Sequence, residues 1–315
     1  MAMIRGLELM VSGDGEGERL DRFLVRAVPG SARAFVVRAI EGGKVKVDGR
    51  AAAKGMKLRE GAVIRVDGMV EAHDLRVEPE SGLPLEVVRA DDSVLVLNKP
   101  AGMPTHPLKF GETGTLANAM VARFPETAAI GDQPLFPALI HRLDTDTSGL
   151  VLAARTADAY RTLREDLRKR RIEKIYVALV HGTVEREGRL VHNLHHDPRR
   201  PGRVVVARPG RAPPGRVMTA RLAYRPVLRF AAHTLLEVTL ITGVTHQIRC
   251  QLAAAGHPLA GDALYGDRKA DSGYGLRRQF LHARRLVFRH PASGQRVEAL
   301  APLPPDLEQF LTSIS

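Results

Sequence analysis

The residues best suited to chemistry lie in one run, Ile140-His141-Arg142-Leu143-Asp144-Thr145-Asp146-Thr147-Ser148-Gly149. It separates two apolar stretches, residues 135–140 and 150–154, and carries a carboxylate, Asp144, two residues after the guanidinium of Arg142. Thr145, Thr147, Ser148 and Gly149 supply the small hydroxyls and permissive backbone of a tight turn. A charge presented between two core strands is costly unless it is paired or used. A carboxylate held in this way can attack as a nucleophile or stabilise a cationic intermediate. His141 and His246 have no zinc spacing and no carboxylate cluster beside them, so they read as hydrogen-bonded supports. Lys99, between a strand and a Pro-Gly turn, reads as structural. Tyr176, taken alone, reads as core.

The elements that must position these groups follow from periodicity. Leu20, Phe23, Leu24, Ala27 and Val28 mark one face of a helix over residues 19–28. Ser31 is the expected N-cap of a second helix that buries Phe35, Ala39 and Ile40 and ends at Gly42-Gly43. Alternation at 44–47, an Asp48-Gly49 turn and a strand at 63–66 complete a small basic module. Residues 69–84 are polar with two prolines, which places a linker at 71–84. Beyond it, 94–97, 175–180 and 235–241 read as strands, the second buried on both faces. Thr156 caps a helix with Asp158 early and Arg168, Lys169, Arg170 and Arg171 late, in agreement with the helix dipole. A helix is expected over 245–255, closed by Gly256 with Pro258 beyond. Residues 199–216, heavy in Arg, Pro and Gly, are expected to form a long mobile loop.

Composition narrows the partner. The chain has 315 residues, 44% hydrophobic, enough for a core in two domains. Its formal net charge is +12, and the excess is clustered: residues 19–67 hold 12 Lys/Arg against 5 Asp/Glu, and 186–229 hold 11 Arg against 2 acids. Clustering of this kind points to a polyanion rather than to general solubility. With 4% aromatics and no Trp, folded RNA or one extruded base fits better than a stripped strand. The single Cys250 allows no internal disulfide. No signal peptide or membrane span is evident, so a cytoplasmic protein with no membrane partner is expected.

His141-Arg142-Leu143-Asp144-x-x-Thr147-Ser148-Gly149 resembles the signature of RluA-type pseudouridine synthases. Other blocks stand in that family's order: Asn98-Lys99-Pro100-x-Gly102, Lys174-x-Tyr176-x-Ala178-Leu179-Val180, Thr242-Gly243-x-Thr245-His246-Gln247-Ile248-Arg249, Gly261-Asp262-x-x-Tyr265-Gly266 and Leu281-His282-Ala283. The N-terminal module resembles the S-four type of RNA-binding domain through Arg19-Leu20-Asp21-Arg22-Phe23-Leu24 and residues 43–49, with the usual Ser-Arg pair split by Ala32. The resemblance implies that Asp144 is the nucleophile, Arg249 its ion-pair partner and Tyr176 the ring stacked on the target base. Arg142 would fill the gap left by an extruded uridine, and Leu281 would form the opposite apolar wall. Where the family commonly has Arg, this chain has Val244, which removes one expected phosphate contact.

The expected protein is α+β: a mixed, mainly antiparallel catalytic sheet flanked by helices over residues 85–315, and an RNA-binding module over 1–70 with its core at 19–67. Arg33, Arg38, Lys44 and Lys46 are its candidate RNA contacts. The expected partner is ribosomal or transfer RNA, bound by a monomer. The expected reaction turns uridine into pseudouridine by base flipping, with no redox change, so no cofactor or metal is required. Two rivals stand beside it. One is an RNA-binding or chaperone-like protein with a vestigial site. The other is a glycoside hydrolase, which needs a second carboxylate; Asp146 is the nearest.

Overall fold

A computed structural model describes residues 3–4, 6–28, 33–70, 76–207, 215–266 and 276–314. The chain divides into two compact units, one of residues 1–77 with 133–135 and one of 78–132 with 136–315.

The first unit contains β1 (Met3–Ile4), β2 (Leu7–Met10), α1 (Leu20–Ala27), α2 (Arg33–Glu41), β3 (Val45–Val47), β4 (Arg50–Ala51), β5 (Val63–Val66) and β6 (Met69–Val70). Strands β2, β5, β3 and β4 form one antiparallel sheet, and β1 pairs with β6. Leu20, Phe23 and Leu24 recur at helical spacing on α1 and join Val36, Ile40, Val45, Val47 and Ile64 in one core. Asp48 and Gly49 both have positive φ, the two-residue turn that matches strand twist between β3 and β4. The expected N-cap at Ser31 lies outside the described residues.

The second unit holds β7 (Glu86–Ala90), β8 (Val94–Lys99), α3 (Leu116–Arg123), β9 (Ser148–Ala154), α4 (Ala157–Arg168), β10 (Glu173–His181), β11 (Gly188–His196), β12 (Val204–Val206), β13 (Met218–Arg229), β14 (His233–Leu240), α5 (Gln247–Ala254), β15 (Leu281–Arg289), β16 (Arg296–Leu300) and α6 (Pro305–Ser313). Its ten-stranded sheet runs β12-β11-β13-β14-β10-β15-β9-β8-β7, with β16 also on β15. The sheet is mixed: β15 and β9 are parallel and the other pairs antiparallel. Helix α6 packs Leu307 and Phe310 on Val177, Leu179 and Leu235. Helix α5 packs Cys250 on Leu194, Val204 and Ala220.

Three local expectations are corrected. Residues 135–140 form no strand. They meet β9 through a lone bridge, Leu139 to Ala153, and two flanking backbone bonds. Helix α5 begins at Gln247 rather than 245, because His246 takes a left-handed backbone (φ +55°) and the Gln247 side chain turns back to accept from Val244 N. The expected loop at 199–216 contains β12, paired with β11; residues 208–214 lie outside those described.

Candidate active site

Asp144 sits in the loop that enters β9, and four side chains tie that loop down. Thr105 Oγ1 donates to the Leu143 carbonyl (2.8 Å) and accepts from Leu143 N (3.1 Å). Lys99, fully buried, donates from Nζ to the carbonyls of Thr145 (2.8 Å), Met103 (2.7 Å) and Pro100 (2.8 Å). Burial pushes its ammonium down to about 7, against the pull of Asp146 and Asp144. Arg278 Nη1 donates to the Asp146 carbonyl (3.1 Å), and Gln279 Nε2 to Thr147 Oγ1 (3.2 Å). Lys99 is thus structural, as its place in the sequence suggests.

The end of the loop is pinned by glycine. Gly149 has φ +114°, and a Cβ there would stand 2.3 Å from the Ala283 carbonyl oxygen. Only glycine permits the parallel approach of β9 to β15, where Ser148 faces His282 and Gly149 faces Ala283. Ser148 Oγ and His282 Nδ1 are 2.9 Å apart, and burial pushes His282 down to about 4, which keeps the ring neutral.

The guanidinium that meets Asp144 comes from α5. Arg249 Nη1 donates to Asp144 Oδ2 at 3.2 Å. The rest of the group grips buried Asp262: Nε to Oδ2 at 2.7 Å and Nη2 to Oδ1 at 2.8 Å. Such bidentate geometry fixes the plane of the arginine. Asp262 is itself locked by the backbone amides of Leu264 (2.9 Å) and Tyr265 (3.1 Å). Burial opposes both charges, but the Asp262 hydrogen bonds and the two carboxylates outweigh it and hold Arg249 above its ordinary range. For Asp262, burial is outweighed by the Arg249 bonds, and its carboxyl lies below the ordinary value. The Tyr265 ring lies 5.3 Å from the Arg249 guanidinium, and its hydroxyl contacts His246 Nδ1 (3.2 Å). His246 Nε2 is 3.9 Å from Asp144 Oδ2; burial lowers this imidazole, with Asp144 pulling the other way.

Tyr176 is buried on β10 and lines a small open cleft with Asp144, Arg142, Arg249, Leu281 and Val244. Burial, with the Asp144 charge adding to it, pushes the Tyr176 phenol far up, so it keeps its proton at neutral pH. Asp144 is the acidic side chain in the cleft wall.

The structure therefore gathers Asp144, Tyr176, Arg249, Arg142 and Leu281 into one cleft. Arg33, Arg38, Lys44 and Lys46 belong to the other unit. There Arg33 pairs with buried Asp21 (3.0 Å), which also binds Arg19 (2.9 Å), while Arg38, Lys44 and Lys46 are exposed. Sequence reasoning left Asp262, Thr105, Arg278 and Gln279 without roles. Asp262 carried a signal, the Gly261-Asp262 turn ahead of a Tyr-Gly pair. No group of three or more His, Cys, Asp or Glu that could hold a metal is found among the described residues.

A mixed sheet that presents an arginine-paired aspartate and a buried tyrosine to one cleft, in a strongly basic chain, fits a nucleic-acid-modifying enzyme. The RNA pseudouridylate synthase family profile matches residues 93–254, and the S4 domain profile residues 18–64. An RNA pseudouridine synthase of Chloroflexus aurantiacus is 44% identical over 306 residues, covering 94% of this chain and 90% of that one. Ribosomal large subunit pseudouridine synthase D of Neisseria meningitidis is 35% identical, covering 94% and 78%. Among solved structures, human RNA Pseudouridylate Synthase Domain Containing 1 shares the fold, with a TM-score of 0.58 and 24% identity over 74% of this chain and 90% of that one. The chain belongs to the RNA pseudouridylate synthase family, enzymes that isomerise uridine in RNA, and carries an S4 domain.

Proposed function

We propose that this enzyme converts uridines of large-subunit ribosomal RNA, with Asp144, Tyr176 and Arg249 as its catalytic set. The observation that carries the site assignment is the Arg249–Asp144 contact, held from behind by Asp262. The ribosomal substrate is suggested by relatives named ribosomal large subunit pseudouridine synthase D at 34–36% identity.

In this reading, cations of residues 1–70 (Arg38, Lys44 and Lys46, with Arg33 contributing its exposed edge) engage phosphates. A uridine leaves its stack and Arg142 fills the space, offsetting an unstacking cost of a few kcal/mol. The base lies against the Tyr176 ring with Leu281 opposite. Asp144 engages the nucleoside, the bond from sugar to N1 breaks, and the base turns. The sugar rejoins at C5, whose proton departs as N1 gains one. The protonated Tyr176 hydroxyl offers a hydrogen bond and not a phenolate base. A cytoplasmic, monomeric enzyme with no cofactor fits this chemistry; among the described residues no helix is long and apolar enough to cross a membrane. A glycoside hydrolase is disfavoured because Asp146 is exposed, outside the cleft wall, with its carbonyl held by Arg278.

The substrate is tested by incubating purified protein with unmodified large-subunit ribosomal RNA and with bulk transfer RNA, then mapping pseudouridine. New pseudouridine at a few ribosomal positions is expected; modification confined to transfer RNA would refute the ribosomal assignment.

A further inference from the structure

Lys174 is an anomaly beside the catalytic cleft. It stands two residues before Tyr176 on β10, on the same strand face. Its residue exposure is 6%, and among the described residues its ammonium makes no hydrogen bond or ion pair. Burying a cation without a partner is unfavourable by several kcal/mol in general. A chain that only needed to fill this space could use Met or Leu.

The surroundings supply further donors and no anion. Nζ lies 3.7 Å from where a Cβ on Gly243 would stand, and Gly243 precedes Val244 of the cleft wall. On the catalytic loop, His141 Nε2 accepts from Leu152 N (3.2 Å), which leaves the ring proton on Nδ1. Among the described residues that buried Nδ1 makes no hydrogen bond of good geometry, only a loose approach to the Arg142 backbone. The Lys174 charge also helps burial to push His141 down to about 3, so the two side chains feel one another. The ammonium thus lies behind the Gly243-Val244 turn of the cleft wall, two residues along β10 from Tyr176.

We propose that Lys174 is a substrate-contacting residue that binds a backbone phosphate of the RNA strand next to the inserted uridine. The inference rests on the RNA-modifying reading of the cleft. It adds to that reading a residue that recognises the strand rather than the base. With the phosphate in place, the ammonium gains the anion it lacks in the free protein.

The probe is a short substrate RNA with a single neutral methylphosphonate, placed either 5′ or 3′ of the target uridine. Binding is measured as Kd for wild type, Lys174→Met and Lys174→Arg, with melting temperature for each protein. The expected result is a loss of about tenfold in affinity for Lys174→Met on native RNA, the scale of one charge-assisted contact. The same loss should follow for wild type on one of the two methylphosphonate RNAs, with no further loss when both changes are combined. Lys174→Arg should recover part of the affinity, and Lys174→Met should melt no lower than wild type. Equal affinity of Lys174→Met and wild type, multiplicative losses at both positions, or a lowered melting point accounting for the weaker binding would overturn the proposal. Because the contact is read as Kd, it stands or falls apart from turnover. Tritium release from the uridine ring in the same mixtures reports on the isomerase reading separately.

Discussion

Asp144 is aimed by a relay of charges rather than by one neighbour. Arg249 gives two of its donors to Asp262 and one to Asp144. The arginine therefore cannot swing away when substrate enters. Removing it strands Asp262, which is almost fully buried. Arg249→Met is expected to destabilise the fold by about 3–5 kcal/mol, the usual cost of breaking a buried pair from one side; urea unfolding measures it. Lys cannot reproduce the fork, so Arg249→Lys should lose most of that stability as well.

Lys174 behaves in the opposite sense. Burial lowers its ammonium from 10.5 to about 8, so between those values the unfolded chain binds more protons than the folded one. Stability contributed by this group therefore rises with pH across that window. Lys174→Met should be more stable than wild type at pH 7, with the gain shrinking as pH climbs from about 8 toward 10.5. A gain that does not change with pH would mean that packing, not charge, is responsible. At this scale the gathering of Asp144, Arg249 and Tyr176 into one cleft was legible only through the family resemblance of their motif blocks, since Tyr176 taken alone reads as core. Asp262 was legible only as a turn residue after Gly261, since its pairing with Arg249 spans the turn after α5. Lys99 was legible as structural from its Pro-Gly setting, though its three carbonyl partners were not.

Strands β9 and β15 depend on one missing side chain. At Gly149 a Cβ would collide with the Ala283 backbone, and φ is +114°. Gly149→Ala is expected to cost about 2–4 kcal/mol through overpacking and backbone strain combined. Denaturant titration checks this, and label release should fall with it because Ser148 and the loop before it shift. The strands at 94–97 and 175–180 were readable because central strands are continuously apolar, and that at 235–241 from its Leu and Val run broken only by Glu237 and Thr239. The helix over Thr156 was readable from its cap, whose side chain accepts from Ala159 N (3.1 Å). The start of α5 was not, because a left-handed His246 is stabilised by its neighbours and not by its own preference. Nor was β12, three residues of valine in a stretch otherwise dominated by Arg, Pro and Gly. Its pairing with β11 is a long-range effect that local composition hides.

Over the whole chain, charge is the organising feature. Of a net +12, the two basic segments supply more than the total, so the remaining surface is slightly acidic. That arrangement favours phosphate contacts confined to defined segments. Replacing Arg38, Lys44 and Lys46 together with Gln should weaken RNA binding and reduce the slope of log affinity against log salt by about one per lost contact. An unchanged slope would mean that these cations do not meet phosphates. Basic bias was legible in the sequence from the start, because charge counts need no coordinates. The pairing of Arg33 with Asp21 was not, since a buried aspartate can be recognised only after α1 and α2 have packed.

The central claim is that the carboxylate of Asp144 performs the isomerisation. Tritium release from RNA labelled at uridine C5, compared between wild type and Asp144→Asn at equal RNA saturation, tests it most directly. Release should drop by more than about 10³-fold in the variant, while RNA affinity stays within about threefold because the amide keeps the same shape. Comparable release from both proteins would contradict the account.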